Sequence, residues 1–417
     1  MRRATLPLGI ALSLVGSPVL AQDWSLAAQS RIDAGVLHQD GPANWLDGGV
    51  GKLGQGRDAG APLLRAQFGL DVEYELLWRG RLHAVVDAGN AQAGARRVGV
   101  SEAYVERQWF NELQDRWGLR AGLYFLPGSM ENVERFWSSP YTLTFSAANS
   151  WIAEEFRPLG VELGWQRQQD DGRALTLAAG VIWGNDTAGA LLAWRGFALH
   201  DRLGRYGEIL PLPPLASLAP GGAFSLQDPR GSQTFGRDLD GRAGYTLRTT
   251  WQPSDSLALR AAWIDNRGDR DLHGGDYAWR ARFGQLGAEW LPDPQWTIAA
   301  EWLVGESGMG FDAGEFAEVD FSTAYLLASW RGDAWRFSLR GEQFRVRDLD
   351  RSNAENNNER GHALTLAVFR DLAPGWELGA EWMSVQSRRA AAIEAGLPGE
   401  RIDGQQLRLE LRHHGER

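Results

Sequence analysis

Apolar and polar residues alternate with a period of two along much of the chain. Between Leu64 and Trp78 every even position is apolar or aromatic, while the odd positions up to 75 are Arg, Gln, Gly, Asp, Glu and Glu. Successive side chains of a β-strand point to opposite faces, so this pattern predicts a strand with one apolar and one hydrated face. The same alternation recurs at 257–263, 298–304, 335–339, 376–382 and 407–411.

Sixteen strands of this kind can be placed along the chain. They cover residues 24–37, 63–78, 81–90, 99–111, 116–125, 158–168, 173–184, 242–252, 256–266, 276–291, 295–305, 318–330, 334–347, 361–372, 375–388 and 403–413. Odd-numbered connections have at least eight residues and even-numbered ones at most four. Barrels inserted from the periplasm have short periplasmic turns and long extracellular loops. The pattern therefore predicts an all-β fold, a transmembrane antiparallel β-barrel of about 16 strands.

Tryptophans cluster beside the short connections. They are Trp78, Trp117, Trp251, Trp290, Trp296, Trp330, Trp335 and Trp376. Amphipathic rings concentrate at membrane interfaces, whereas tryptophans of an ordinary core would not gather at one end of successive hairpins. We therefore expect an aromatic girdle at the periplasmic rim.

The N-terminus has the pattern of a secretory signal peptide. Two arginines precede an apolar run at 6–15, and small residues follow. This order of charged, apolar and small residues is typical of a segment that is removed on export. The sequence thus predicts a signal peptide at 1–21, a barrel domain at 22–417 and a location in the outer membrane of a Gram-negative bacterium.

Composition excludes several classes of protein. Without Cys, the chain has no disulfide scaffold, Cys-ligated metal site or thiol nucleophile. Its net charge of -10 argues against nucleic-acid binding. The glycine-rich segment 49–54, which contains the single lysine, Lys52, is not followed by a helical pattern and is expected to be an exposed loop. We expect no enzymatic activity, with an outer-membrane lipase or protease as the alternative from the enzyme classes.

The third connection, Leu126–Arg157, is the candidate constriction. A barrel of this size is too wide to be filled by its wall side chains, so its lumen is expected to hold water, and a 32-residue loop is long enough to fold inward. Its charged candidates are Glu131, Glu134, Arg135, Glu154, Glu155 and Arg157. The candidates on the wall are Arg65, Arg120, Arg280, Arg282, Arg336 and Arg340. We expect some of the loop acids to approach Arg65, Arg120, Arg336 or Arg340, because opposed charges across a narrow gap set ion selectivity.

Around this loop the sequence resembles the phosphate-selective porin O and P family. The resemblance rests on Arg120–Phe125, Pro127, Glu131, Ser138–Ser139, Leu143–Phe145 and Pro158–Leu163, and it is most visible over residues 63–184. It implies a sixteen-stranded trimeric outer-membrane porin. The sequence departs from the family's lysine-rich path, since the lumen is expected to lack lysine and the third connection is net acidic. Phosphate selectivity therefore does not carry over residue by residue.

A second candidate site is a calcium loop near the end of the thirteenth strand. Asp348, Asp350, Ser352, Asn356 and Glu359 occupy positions 1, 3, 5, 9 and 12 of such a loop. Asn353 stands where glycine is expected and strands flank the segment, so a solvated extracellular loop is the alternative. No other cofactor is expected.

The fourth connection, 185–241, is the longest and combines an apolar stretch with a proline-rich run. A lid over the mouth and a trimer contact are both open interpretations. The sequence as a whole predicts passive diffusion of small hydrophilic solutes or ions, of anion or phosphate type, through a homotrimer that contacts the lipid bilayer and lipopolysaccharide. The alternative is a barrel that acts mainly in surface binding, adhesion or structure.

Overall fold

The computed structural model describes residues 24–39, 48–53, 63–74, 78–86, 98–111, 115–126, 128–134, 137–227, 230–233, 235–310, 316–350, 352 and 355–416. The signal peptide predicted at 1–21 lies outside these residues. No helix among them is long and apolar enough to cross a bilayer.

Sixteen strands of the described chain form a closed antiparallel barrel. They are β1 (Trp24–Gln39), β2 (Leu63–Tyr74), β3 (Trp78–Val86), β4 (Val98–Phe110), β5 (Arg116–Leu123), β6 (Leu159–Gln168), β7 (Ala174–Trp183), β8 (Gly244–Ser254), β9 (Leu257–Asp265), β12 (Arg280–Asp293), β13 (Trp296–Gly310), β14 (Phe316–Arg331), β15 (Trp335–Asp348), β16 (Glu359–Ala373), β17 (Trp376–Arg389) and β18 (Arg401–Glu416). β10 (Leu272–His273) and β11 (Asp276–Tyr277) form a separate hairpin within the fifth loop. β1 pairs with both β2 and β18, with Ala27 opposite Glu416, and this pairing closes the barrel. The predicted fold class is confirmed.

The period-two pattern places one face of each strand outside the barrel. In β15, Phe337 and Leu339 are exposed, whereas their neighbours Ser338 and Arg340 are buried. The outward residues form an apolar band that includes Leu82, Val105, Leu119, Leu163, Leu177, Leu247, Trp263, Leu286, Trp302, Leu326, Leu339, Leu366 and Leu407. Such a band is what a membrane-spanning barrel presents to lipid.

Loop lengths alternate as expected from the sequence. The connections 75–77, 111–115, 169–173, 255–256, 294–295, 332–334 and 374–375 have two to five residues, and those at the opposite end of the barrel have ten or more. The exception is 311–315, which has five residues because β13 and β14 extend further than predicted. At the end with the short turns, the outward-facing rings of Trp78, Trp251, Trp290, Trp296, Trp335 and Trp376 are between 40% and 52% exposed. Trp296 and Trp330 lie opposite each other in the register of β13 and β14, so these two residues lie at the same height in the barrel wall.

Helical structure is confined to the loops. Helix α1 (Ala147–Glu155) lies in the third loop, residues 124–158, and begins at Ser146, whose side chain accepts a hydrogen bond from the amide of Asn149. Helix α2 (Ala190–Arg195) lies in the fourth loop, residues 184–243. Single 3-10 turns occur at Ala216–Leu218 and Ala390–Ala392.

The third and fourth loops build an apolar core inside the extracellular half of the barrel. From the third loop, the ring of Trp151 contacts inward-facing Phe283 and Phe321, each at 4.9 Å between centroids. From the fourth loop, Phe197 packs at 5.7 Å from Phe344 of β15. All five rings are almost fully buried. At this level the two loops therefore fill part of the lumen with their own aromatic side chains. This differs from the expectation, based on the width of the barrel, that water fills the lumen.

Candidate functional site

The third loop crosses the interior of the barrel. At its start, the amide of Phe125 donates to Glu102 of β4 at 3.2 Å. Further along, Ser129 Oγ donates to Glu301 of β13 at 3.1 Å, and the amide of Leu143 donates to Glu381 of β17 at 2.6 Å. These contacts tie one loop to well-separated parts of the wall, so the loop lies within the lumen.

A fully buried ion pair joins this loop to β15. Glu131 Oε2 lies 2.6 Å from Arg340 Nη1, and both side chains have no exposed surface. The same guanidinium donates to the Thr144 carbonyl at 2.7 Å and to Glu342 at 3.1 Å. Glu342 accepts in turn from the amide of Ala147 at the start of α1. A buried pair of this kind is sustained when further hydrogen bonds satisfy both ions, and here it fixes the loop.

Three wall carboxylates that were not among the predicted constriction residues hold the loop backbone. Besides Glu342, they are Glu301, which accepts from Ser129 Oγ and the Met130 amide, and Glu381, which accepts from the amides of Leu143 and Thr144. Each is buried and lies on the inward face of its strand. Their signal in the sequence is a Glu near mid-strand at an inward-facing position.

The other predicted contacts between the loop and the wall take two forms. Glu134 is about one-third exposed and lies 3.4 Å from Arg412 of β18. Arg336 donates to the Pro140 carbonyl at 2.8 Å, and its guanidinium lies 5.2 Å from the centre of the Tyr141 ring. The predicted Arg135 lies outside the described residues, and so does the side chain of Arg65 in β2.

Arg120 does not meet the acids of the loop. It donates to Glu106 of β4 at 2.8 Å and lies 4.0 Å from Glu162 of β6. Arg248 of β8 makes two further bonds to Glu162, at 2.7 and 2.8 Å. The Arg120 side chain is still 19% exposed. This wall therefore carries a ladder of paired charges that water reaches.

Glu154, Glu155 and Arg157 hold the end of the third loop rather than facing the wall arginines. Glu154 forms an ion pair with Arg195 of the fourth loop. Glu155 accepts from the amide of Leu191 at 3.0 Å, and burial together with the neighbouring Glu154 raises the pKa of Glu155 to about 7. Arg157 donates to the Ser101 carbonyl of β4 at 2.7 Å. All three groups are buried: Glu154 and Glu155 join the third loop to the fourth, and Arg157 joins the third loop to β4.

The prediction that Arg280 and Arg282 line the lumen is wrong. Both lie on the same face of β12 as exposed Leu286, and odd-numbered Phe283 is the residue that points inward and is buried. Arg280 pairs with Asp265 at 2.8 Å, and Arg282 pairs with Glu306. Phe283 is apolar although it faces the lumen, because the side chains of the third and fourth loops make the lumen apolar at this height. A rule that places apolar residues outside therefore predicts the opposite orientation for this part of β12.

Lys52 is not in an exposed loop. Its side chain is fully buried, donates to the Phe197 carbonyl at 2.8 Å and pairs with Glu359. Burial lowers its pKa to about 8, partly offset by Glu359. The first loop is thus anchored to the fourth loop and to β16.

The predicted calcium ligands do not all lie together: Asp348 and Asp350 are close to each other, whereas Asn356 and Glu359 have other partners. Asp348 and Asp350 approach each other, but the third carboxylate beside them is Glu355. Glu359 is committed elsewhere, since it pairs with Lys52 and accepts from Ser387 at 2.7 Å. Asn356 Oδ1 accepts from the side chain of Asn358 at 2.8 Å, and Ser352 donates its amide to Asp350. The spacing therefore identified the segment but not the set of carboxylates.

No arrangement typical of an exposed hydrolytic centre was found among the polar side chains of the described lumen. Ser101 Oγ lies 2.9 Å from His83 Nδ1, but both residues are almost completely buried. Arg157 covers the Ser101 carbonyl. A catalytic serine needs access for a substrate carbonyl, so this contact serves packing.

A closed sixteen-stranded barrel with an apolar exterior and an inward third loop defines the fold class of outer-membrane porins. No family model matches the sequence, and no curated protein matches it. The barrel is similar to the outer membrane channel DcaP of Acinetobacter baumannii, with a TM-score of 0.57 and 11% identity over 94% of this chain and 97% of that chain. It is also similar to an anion-selective porin from Comamonas acidovorans, with a TM-score of 0.54 and 11% identity over 94% and 100% of the two chains.

A third similar structure is OmpT of Vibrio cholerae in a trimer form, with a TM-score of 0.53 and 9% identity over 94% of this chain and 99% of that chain. At these identities the likeness concerns the fold. The narrower resemblance to the phosphate-selective family remains a prediction.

Proposed function

We propose that the protein is a porin of the bacterial outer membrane that lets small hydrophilic solutes or ions diffuse passively through its barrel. The observation that carries this proposal is the third loop, which is bound across the lumen to Glu102 of β4, Arg340 of β15 and Glu381 of β17. A loop held in this way narrows a wide barrel without relying on wall side chains alone. The names of the similar structures, a channel and a porin among them, support the same function.

The proposed route passes the periplasmic face of the third loop. On the loop side, Glu134 and Glu377 retain 34% and 19% of their side-chain exposure. On the opposite wall, Arg120 and Arg248 retain 19% and 14%. Charges of both signs that remain in contact with water favour ions and polar solutes. Selectivity of anion or phosphate type is a narrower proposal, supported by the name of the Comamonas porin and by the arginines of this wall.

We also propose a homotrimer embedded in a bilayer with lipopolysaccharide, without enzymatic activity. The trimer form of the Vibrio cholerae protein supports the oligomer, and the apolar outer band supports the lipid contact. Chemical cross-linking of the refolded protein, followed by electrophoresis without heating, should give a threefold mass.

Planar-bilayer recording tests the channel directly. Addition of the refolded protein should produce conductance steps that grow with salt concentration, and a salt gradient should give a reversal potential that reports the preferred sign of ion. Inorganic phosphate in the millimolar range should reduce chloride current if the pore is of phosphate type. A folded barrel that produces no steps would contradict the proposal and favour the alternative of surface binding or adhesion.

A further inference from the structure

Three carboxylates converge where β15 enters the seventh loop, residues 349–358. One oxygen each from Asp348, Asp350 and Glu355 lies within 4.8 Å of the others. Glu355 is only 5% exposed, and neither of its carboxylate oxygens has a hydrogen-bond partner among the described residues. Asp348 Oδ1 is likewise buried without a partner there. Buried carboxylates without donors are costly, so this cluster calls for a positive partner.

The neighbouring backbone fixes this arrangement but does not neutralise it. Asp348 Oδ2 accepts from the amide of Asn357 at 2.8 Å, and Asp350 Oδ2 accepts from the amide of Glu318 at 3.2 Å. These bonds orient two of the acids while their remaining oxygens stay available. Burial, and then the charges of the two aspartates, raise the pKa of Glu355 to about 9.

The guanidinium of Arg389 does not fill this role. It acts on Glu355 electrostatically, but its Nη2 donates to the Ala193 carbonyl at 2.8 Å and its Nη1 donates to the Asn357 carbonyl at 3.2 Å. It also lies 3.9 Å from Glu359. Arg389 thus serves the fourth loop and β16 rather than the oxygens of Glu355.

We propose that Asp348, Asp350 and Glu355 bind a divalent cation, of which Ca²⁺ fits best. Calcium takes six to eight oxygen ligands at about 2.3–2.6 Å, so oxygens up to roughly 4.8 Å apart can share one ion. Mg²⁺ requires a tighter octahedron at about 2.0–2.1 Å. The bound ion joins the end of β15, the seventh loop and, through the Glu318 amide, the start of β14. It stabilises the extracellular mouth independently of what the pore conducts.

A second acidic cluster in the described chain provides a comparison. Asp186, Asp238 and Asp240 also lie within 4.8 Å of one another. Their oxygens accept from backbone amides: Asp186 from Leu239, Asp240 from Arg242 at 2.8 Å, and Asp238 from Gly241 at 2.8 Å. This cluster is satisfied without an ion and serves as a control.

Equilibrium dialysis of the refolded full barrel against CaCl₂ tests the site. Refolding in detergent free of lipopolysaccharide removes the calcium that this lipid would carry, and EDTA treatment removes bound metal beforehand. We expect about one Ca²⁺ per chain with a dissociation constant of about 1 mM or below, as in extracellular calcium modules. A parallel dialysis against MgCl₂ should give weaker binding.

The variant Glu355→Gln keeps the size of the side chain and removes the buried charge, so the barrel should fold and calcium affinity should fall at least about tenfold. Asp348→Asn should act in the same direction, whereas Asp238→Asn in the control cluster should bind like the wild type. Folding of each variant is checked by its electrophoretic mobility before and after heating. The proposal would be overturned by a wild-type chain that binds no Ca²⁺ at about 10 mM, roughly tenfold above the weakest dissociation constants of extracellular calcium modules. A Glu355→Gln chain that binds Ca²⁺ like the wild type would also overturn it.

Discussion

At the scale of single residues, Arg340 is the main polar anchor of the third loop. It is fully buried and serves Glu131, Glu342 and the Thr144 carbonyl together. Arg340→Ala leaves both glutamates buried without their cation, and the free energy of unfolding should fall by about 3–5 kcal/mol. Urea titration of the barrel in detergent measures this.

Arg347→Ala is the matched control for Arg340→Ala, since Arg347 lies on the same strand and its side chain is 52% exposed in a pair with Asp320. Loss of such a pair should cost at most about 1 kcal/mol. Equal urea midpoints for the two variants would show that the buried pair does not hold the loop.

Arg120 sets the charge of the wall opposite the third loop. Arg120→Ala leaves Glu106 without its main partner, while Glu162 keeps Arg248. The wall becomes more negative where water reaches it, so the cation-to-anion permeability ratio should rise roughly twofold or more. Reversal potentials in a salt gradient give this ratio.

The control for Arg120→Ala is Arg173→Ala, because Arg173 is exposed in a short turn and pairs with Asp171. That variant should keep the wild-type reversal potential. If Arg120→Ala also kept it, ions would not pass this wall.

At the scale of elements, the fourth loop fills part of the lumen together with the third loop. Trp194 and Phe197 are fully buried and pack against Trp279 and Phe344, at 5.9 and 5.7 Å between centroids. Replacing both with Ala removes two aromatic side chains from the interior, at a cost of several kcal/mol, about 3–5 for each deletion. Single-channel conductance should increase if the channel passes this core.

Leu226→Ala is the control for this double variant, since Leu226 belongs to the same loop but is 51% exposed. It should leave conductance unchanged. A double variant that folds and conducts like the wild type would place the narrowest point at the third loop instead.

At the scale of the whole molecule, the apolar band fixes where the bilayer sits. Leu339 lies within the band, and Gln343 lies four residues nearer the extracellular end on the same outward face of β15. Arginine at mid-bilayer costs about 2–4 kcal/mol and near the interface about 0–1 kcal/mol. Leu339→Arg should therefore lower the free energy of unfolding in lipid vesicles far more than Gln343→Arg, and equal losses would contradict this placement.

The fold was predictable because each strand repeats a local rule. Outward positions such as Phe337 and Leu339 are apolar, and loop lengths alternate, so strand number and orientation follow from the order of residues. Parts of the interior do not follow this rule. The alternation predicts the wrong face for Arg280 and Arg282, because the loops make the extracellular half of the lumen apolar and inward-facing Phe283 packs there against Trp151.

The contacts of the site depend on long-range packing. The pairing of Lys52 with Glu359 joins residues 307 positions apart, and that of Arg340 with Glu131 joins residues 209 positions apart. Sequence spacing indicated which loop carries charge, but not which strand would meet it. It also selected Glu359 in place of Glu355 as a partner for Asp348, because the spacing rule assumed flanking helices rather than strands.

The closure of the barrel by β1 and β18 also makes the fold indifferent to where the chain is opened. Ala27 lies opposite Glu416, so the start of β1 and the end of β18 meet at the same rim. A short linker across that rim and new termini in an extracellular loop would preserve every strand pairing. Circular permutants opened in the eighth loop between exposed Pro398 and partly exposed Gly399 should therefore fold into the same barrel, because connectivity can change where few contacts are lost.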